Sequence, residues 1–226
     1  MSLTETERVF AGANEDGEND LLRAIFSARG RYLNYGSPAF VPATTSSVTQ
    51  VPAIAFPGIP GGGIQYLVSF SIPVLDFHPD DSGGSSPLIP GFNQFTARTT
   101  VRLTVGCVRV YRDDNRPPAG TTHVPPVSLT PISTSLDVIA RGTPTVSYFG
   151  TPGSGVVGLR VDEVELVDIT PDSLESVLEC VIRMMLQAAL ANVQLPFNAL
   201  SMGAFQLALV RGPEIEQDQV QLYGNV

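Results

Sequence analysis

The 226-residue chain has no lysine and no tryptophan, so all 13 of its basic residues are arginine. Charged residues are sparse at 15%, and their balance leaves a formal net charge of −9. That shortage of cations argues against gripping nucleic acid phosphates or anionic membrane surfaces. Only two cysteines occur, Cys107 on a strand-like stretch and Cys180 on a helical one, each among apolar neighbours. Two isolated thiols are too few for a structural zinc site. They read as buried thiols in a reducing compartment, with a helix-to-sheet disulfide as the alternative. The two histidines, His78 and His123, both fall in loop-like sequence, which leaves little material for a Ser/His/Asp triad. Met1–Asp20 is acidic and has no apolar segment, so a secretory signal is not expected and a cytoplasmic protein is.

What is present is a core. Hydrophobic residues make up 43% of the chain, enough for one large folded domain. The stretch Ile169–Val193 organises the rest. Thr170 suits an N-cap, Pro171 the first helical position, and Asp172 the positive end of the helix. Asp172, Ser176, Glu179, Arg183 and Gln187 recur three or four apart and form one narrow polar stripe. Leu174, Val177, Leu178, Val181, Ile182, Met185, Leu186, Ala189, Leu190 and Val193 fill most of the remaining circumference. A surface helix hides an arc of about 100°, and this one needs a wider cover. Glu179 and Arg183 would sit near a bilayer centre, which excludes a membrane span. The expectation is a helix from Pro171 to Val193, with its polar stripe in water and its apolar arc sheathed by the protein itself.

Residues 1–18 read as a flexible acidic terminus. Asn19 or Asp20 caps a short helix from Leu21 to about Leu33, ended by Gly36 and Pro38. Phe40–Gly63 is rich in proline and glycine and must be edge-like or loop-like. Ile64–Phe77 alternates as a strand, demoted at its far end by Pro73. Phe95–Tyr111 alternates too, until Gly106 shifts the apolar face by one, which predicts a bulge there. Pro131–Phe149 and Val156–Val167 are further extended segments, and the second leads into the long helix. Leu195-Pro196-Phe197 turns the chain back, Phe205, Leu207 and Leu209 mark a strand, Gly212-Pro213 a turn, and Val220–Tyr223 a last strand. No βαβ alternation occurs. The fold class is therefore α+β: a long, strongly curved antiparallel sheet wrapped around a long C-terminal helix, with a short N-terminal helix, in one domain over residues 19–226.

This order of parts resembles the tubular lipid-binding superfamily, which includes bactericidal/permeability-increasing protein, insect takeout proteins, synaptotagmin-like lipid-transfer domains and relatives in bacterial toxin clusters. The resemblance is carried by the helix Pro171–Val193, then Leu195-Pro196-Phe197, then Met202–Val210, then Pro213-Glu214-Ile215 and Val220–Gly224, and more loosely by Asn19–Gly224. It is one of order and pattern, not of a unique motif. It implies an acyl or other apolar ligand held between sheet and helix, with no catalytic residues and no cofactor. The absent signal and disulfide pair bring the chain nearer to the intracellular or bacterial branch.

Sites with chemistry are few. Asp76-Phe77-His78-Pro79-Asp80-Asp81 gathers three carboxylates and a histidine, yet it enters a Ser/Gly-rich loop where acids commonly form turns, so no metal is assigned. Gly61-Gly62-Gly63 precedes a strand, not a helix, and reads as a flexible turn rather than a phosphate cradle. Asp162, Glu163 and Glu165 read as a solvated strand face with Asp162 opposite the other two. Met184, Met185 and Met202 read as core, with a ligand tunnel beside Met185 as the sharper alternative.

Two functions follow. The first is a non-enzymatic binding protein that holds a lipid or other apolar small molecule in a channel, lined by Val68, Phe70 and Leu103 on strands and by Leu178, Val181, Ile182 and Met185 on the helix. The second is a non-enzymatic structural or interaction subunit of a bacterial assembly, toxin or secretion related, with side chains filling the channel. Its Pro-rich segments Phe40–Pro60 and Pro117–Pro131 would then present edges to a protein partner or to a second copy.

Overall fold

Asn14 is both the end of a strand and the start of a helix. Its side chain accepts a hydrogen bond from the Gly17 N–H at 2.9 Å, and Glu15, Asp16 and Glu18 crowd the positive first turn. The N-terminal helix therefore begins earlier than its apolar pattern alone predicts. In the computed structural model, which describes residues 9–38, 40–41, 46–55, 62–77, 93–109, 127–128, 131–149, 155–167, 172–196, 208–216 and 218–225, the chain opens with β1 (Val9–Asn14) and α1 (Glu15–Ala28). A 3₁₀ turn, Gly30–Leu33, follows; the single helix expected to reach Leu33 is broken because Arg29 leaves helical dihedrals. The remaining elements are β2 (Asn34–Gly36), β3 (Thr49–Gln50), β4 (Ile54–Ala55), β5 (Gly62–Phe70), β6 (Val74–Asp76), β7 (Phe95–Arg109), β8 (Val127–Ser128), β9 (Ile132–Tyr148), β10 (Gly155–Leu166), α2 (Asp172–Leu190), β11 (Leu195–Pro196), β12 (Ala208–Glu216) and β13 (Gln219–Asn225). The fold class is the expected one, α+β, with mostly antiparallel, strongly curled strands and both helices packed on them.

Two compact units divide the chain, one of residues 1–28, 72–99 and 137–226, the other of residues 29–71 and 100–136. In the first, β10 lies between β9 and β11, both antiparallel to it. A second sheet runs in the order β1-β13-β12. Val9–Asn14, expected to fray, instead pairs in full register with Gln219–Gly224. The two sheets meet where Val157 of β10 packs with Leu222 of β13, with Ala11, Val146, Leu195 and Leu209 around them. Gly212-Pro213, expected as a turn, lies inside β12 where the ladder shifts register between Arg211 and Glu214, and the reversal falls instead at Asp218, in a left-handed conformation (φ 60°). A proline cannot donate to a ladder, so it settles at an irregularity.

The bulge expected at Gly106 is absent: β5 and β7 pair without a shift from Gly62↔Arg109 to Phe70↔Val101. The register slip sits in β10, between Val161 and Glu163, opposite Gly142 and Arg141 of β9. Gly142 is obligatory there. A Cβ would collide with the Arg160 carbonyl oxygen and with the Phe95 ring, which is fully buried.

In the second unit the hydrogen-bonding order is β7-β5-β2-β3, with β4 beside β5 and β8 beside β7. The β2–β3 pair is parallel, unlike the rest of this unit. Fully buried Ser37 extends the β2–β5 ladder with its side chain: its hydroxyl accepts from the Tyr66 N–H at 2.8 Å and lies 3.2 Å from the Tyr66 carbonyl. Gly62 and Gly63 open β5 rather than forming a free turn, and a Cβ on Gly63 would strike the Ile54 carbonyl of β4.

Candidate functional site

α2 spans Asp172–Leu190, ending three residues before the expected Val193, and it packs on β10 within the first unit. Its C-terminal half is anchored. Leu186, Ala189 and Leu190 are fully buried, and Ile182 nearly so. Each buried leucine or isoleucine side chain contributes about 1.5–3 kcal/mol.

The polar stripe expected in water is only partly there: Ser176 and Arg183 are exposed, while Glu179 and Gln187 are half-buried against β10. β10 has β9 along one edge, and β11 covers only Val156 and Val157 on the other. From Leu159 onward that second edge is met by α2. Gln187 Oε1 accepts from the Val161 N–H at 2.6 Å, and Gln187 Nε2 donates to the Leu159 carbonyl at 3.4 Å. Arg183 donates to the Asp162 carbonyl at 3.2 Å, and Glu179 accepts from the Leu166 N–H at 3.3 Å. An open strand edge presents unpaired N–H and C=O groups, and here the helix stripe satisfies them.

Beside this seam lies a cleft of about 380 Å³ lined by Arg141, Asp162, Glu163, Val164, Glu165, Ser176, Glu179, Cys180 and Arg183. The bulge after Val161 changes the alternation expected for its acids. Asp162 is held by Arg160 at 2.7 Å and by the Thr143 hydroxyl at 2.7 Å, while Glu163 pairs with Arg141. Glu165 instead faces the helix, where its carboxylate and those of Glu175 and Glu179 lie within 4.8 Å of one another. Glu165 has its pKa raised, first by burial and then by the charges of Glu179, Glu175 and Glu163. Carboxylates so arranged suit a hard cation or the cationic side chain of a partner. The sequence does carry one signal of the cluster: Glu175 and Glu179 are like charges four apart on a helix, an unfavourable spacing. Their meeting with Glu165 depends on which residue of β10 faces α2.

The other flank of α2 carries the expected ligand residues. Leu178, Val181 and Met185 are half-buried, and Ile182 is buried beside them. The sheath expected over the whole apolar arc is incomplete. Val177 is 60% exposed and Met184 58%. Cys180, expected among apolar neighbours, is free and exposed. The strand residues fall in the second unit. Val68 stands directly across from Leu103, with Tyr35 on its other side, and Phe70 pairs with Val101 and meets Tyr35 edge to face at 6.2 Å. Val68 and Phe70 are buried, and Leu103 is half-buried. His78, Asp80, Asp81, His123 and Met202 lie outside the described residues, as do most of Pro117–Pro131 and the Cys107 side chain; Asp76 is half-buried at the end of β6.

Among the described residues no helix is long and apolar enough to cross a membrane. No family model matches the sequence, and no characterised protein matches it by sequence. Among solved structures, one that this chain is similar to is described as "Crystal structure of lipopolysaccharide binding protein", with a TM-score of 0.41 and 13% sequence identity, over 97% of this chain and 50% of that one. This chain therefore spans half the length of that protein.

Proposed function

We propose that this chain is a non-enzymatic binding protein that holds a lipid or other apolar ligand against the flank of α2 formed by Leu178, Val181 and Met185. The observation that carries the reading is the unequal cover of that helix. Its seam with β10 is closed by hydrogen bonds from Glu179, Arg183 and Gln187, while three large apolar side chains on the opposite flank are only half-buried. An apolar surface left part-covered gains most from an apolar ligand, at about 25 cal/mol per Å² removed from water. Met185 adds an adaptable thioether suited to irregular chains.

Native mass spectrometry of the purified protein, with extraction and identification of bound apolar molecules, tests the proposal. Val181→Ser is expected to lower ligand occupancy several-fold while leaving a cooperative melt. Purified protein that carries no ligand and takes up no fluorescent acyl probe would sink the proposal.

A second reading, an interaction subunit, is favoured by a separate observation: Val177 and Met184 are each more than half exposed on α2.

A further inference from the structure

We infer that the turn following α1 binds a phosphate-type oxyanion between the guanidiniums of Arg29 and Arg31 and the hydroxyl of Tyr32. The turn is held along its whole length. Its four successive carbonyls each accept a hydrogen bond: Arg29 from the Tyr32 N–H at 3.1 Å, Gly30 from the Asn34 side-chain amide at 2.6 Å, Arg31 from the Thr49 hydroxyl at 2.8 Å, and Tyr32 from the Tyr35 hydroxyl at 2.9 Å. Arg29 and Arg31 are exposed on this frame, and the Arg31 guanidinium lies 5.1 Å from the centre of the half-buried Tyr32 ring. Arg31, and after it Arg29, lowers the pKa of the Tyr32 hydroxyl, so the pair already favours negative charge at that point. Asn34 stands across from Ser69, and Ser69 across from Arg102, so the exposed Arg102 shares the sheet face to which the turn is tied.

Charge and donor count select the occupant. The second unit, residues 29–71 and 100–136, holds six of the 13 arginines and only two carboxylates, Asp113 and Asp114; six less two leaves +4 inside a chain of −9. Both aspartates lie outside the described residues, and among the described residues no ion pair reaches Arg29, Arg31 or Arg102. In the first unit, by contrast, Arg23, Arg141, Arg160 and Arg211 each pair with a carboxylate. Two guanidinium forks and a hydroxyl offer more donors than the two oxygens of a carboxylate use, and they match the three free oxygens of a phosphate ester. The same chemistry serves a soluble phosphate ester and a lipid phosphate headgroup, which the experiment separates. The turn and α2 belong to different units, so the site does not rest on the apolar-ligand reading.

The test follows the backbone and arginine side-chain N–H signals of the full chain by NMR as inorganic phosphate is added at low ionic strength. Saturable shifts are expected at Arg29, Arg31 and Tyr32, with smaller ones at Arg102. Arg29→Gln with Arg31→Gln should weaken binding, read at the Tyr32 backbone N–H, by about tenfold or more, and Tyr32→Phe by about threefold. Arg23→Gln, which removes an arginine already paired with Asp20, should change it by less than about twofold. Flotation with vesicles of phosphatidylcholine and phosphatidic acid that requires Arg29 and Arg31 assigns the phosphate to a lipid headgroup; phosphate binding without flotation assigns it to a soluble ester. Shifts that do not saturate, shifts spread evenly over all arginines, or equal weakening by Arg23→Gln each overturn the inference. So does binding of a polyglutamate peptide where phosphate does not bind, which assigns the arginines to an acidic protein partner. If the double variant fails to melt cooperatively, Arg31→Gln alone carries the comparison.

Discussion

Gln187 completes the backbone pairing of Val161. Its side-chain amide accepts the Val161 N–H at 2.6 Å and donates to the Leu159 carbonyl two residues away. A primary amide carries one acceptor and a donor side by side, as a peptide group does, so one glutamine can stand in for a missing strand. The first unit repeats the device. Asn19 of α1 donates to the Leu75 carbonyl at 2.9 Å and accepts the Leu75 N–H at 2.8 Å, and Asn93 donates to the Pro213 carbonyl at 3.0 Å and accepts from the Ile215 N–H at 2.8 Å.

Replacing Gln187 with Leu should therefore cost about 1–3 kcal/mol, because the Val161 N–H is left unpaired at a covered edge. Gln187→Glu keeps the acceptor and loses the donor, so it should fall between the two. Urea unfolding midpoints check the order.

Asn19→Ala removes both partners of Leu75, a residue with no solvent exposure. The expected loss is about 2–4 kcal/mol, for two orphaned backbone groups. Hydrogen exchange should quicken at the Leu75 amide and at Phe77, whose N–H is held by Glu15 at 2.8 Å.

The pH dependence follows from Glu165. Its folded carboxyl lies above the ordinary carboxylate range, first through burial and then through Glu179, Glu175 and Glu163. The folded chain thus holds that proton more tightly than the unfolded chain. The stabilisation is fully present below the unfolded pKa and is lost as pH rises through the raised value. Glu165→Gln should raise the melting temperature at pH 7 and leave it nearly unchanged at pH 4. A rise of equal size at both pH values would show that ionisation is not the cause.

Along α2 the cost of truncation should track burial. Leu186→Ala empties a fully buried site and should cost about 2–5 kcal/mol. Met184→Ala, at a mostly exposed site, should stay within about 0.5 kcal/mol. Val181→Glu, on the half-buried flank, should abolish acyl-probe uptake, since a carboxylate there would lie against the ligand.

Gly142→Ala should be among the most damaging single changes. The added methyl meets the Arg160 carbonyl and the buried Phe95 ring at once, and a loss of about 3 kcal/mol is expected for such overpacking. Phe95→Leu in the same chain should recover part of it, which a double-mutant cycle measures.

The alternation of Ile64–Phe70 and Phe95–Cys107, the proline at position 73 and the uninterrupted helical run after Pro171 decide the α+β class, the antiparallel strands and the long helix, because side-chain periods of 2 and 3.6 are local properties of the backbone. The residues of the polar stripe were legible in the same way, since they recur along one helix. What that stripe faces was not, because an unpaired edge is a property of where β10 ends up among its neighbours, and a polar stripe looks the same whether it meets water or peptide groups. The strand Val9–Asn14 is not legible in the sequence for a related reason: it is short and gains its stability from pairing with residues more than 200 positions away. The meeting of Glu165 with Glu175 and Glu179 likewise depends on a one-residue slip after Val161 that no local pattern announces, for only packing against the helix decides which face of a bulged strand turns inward.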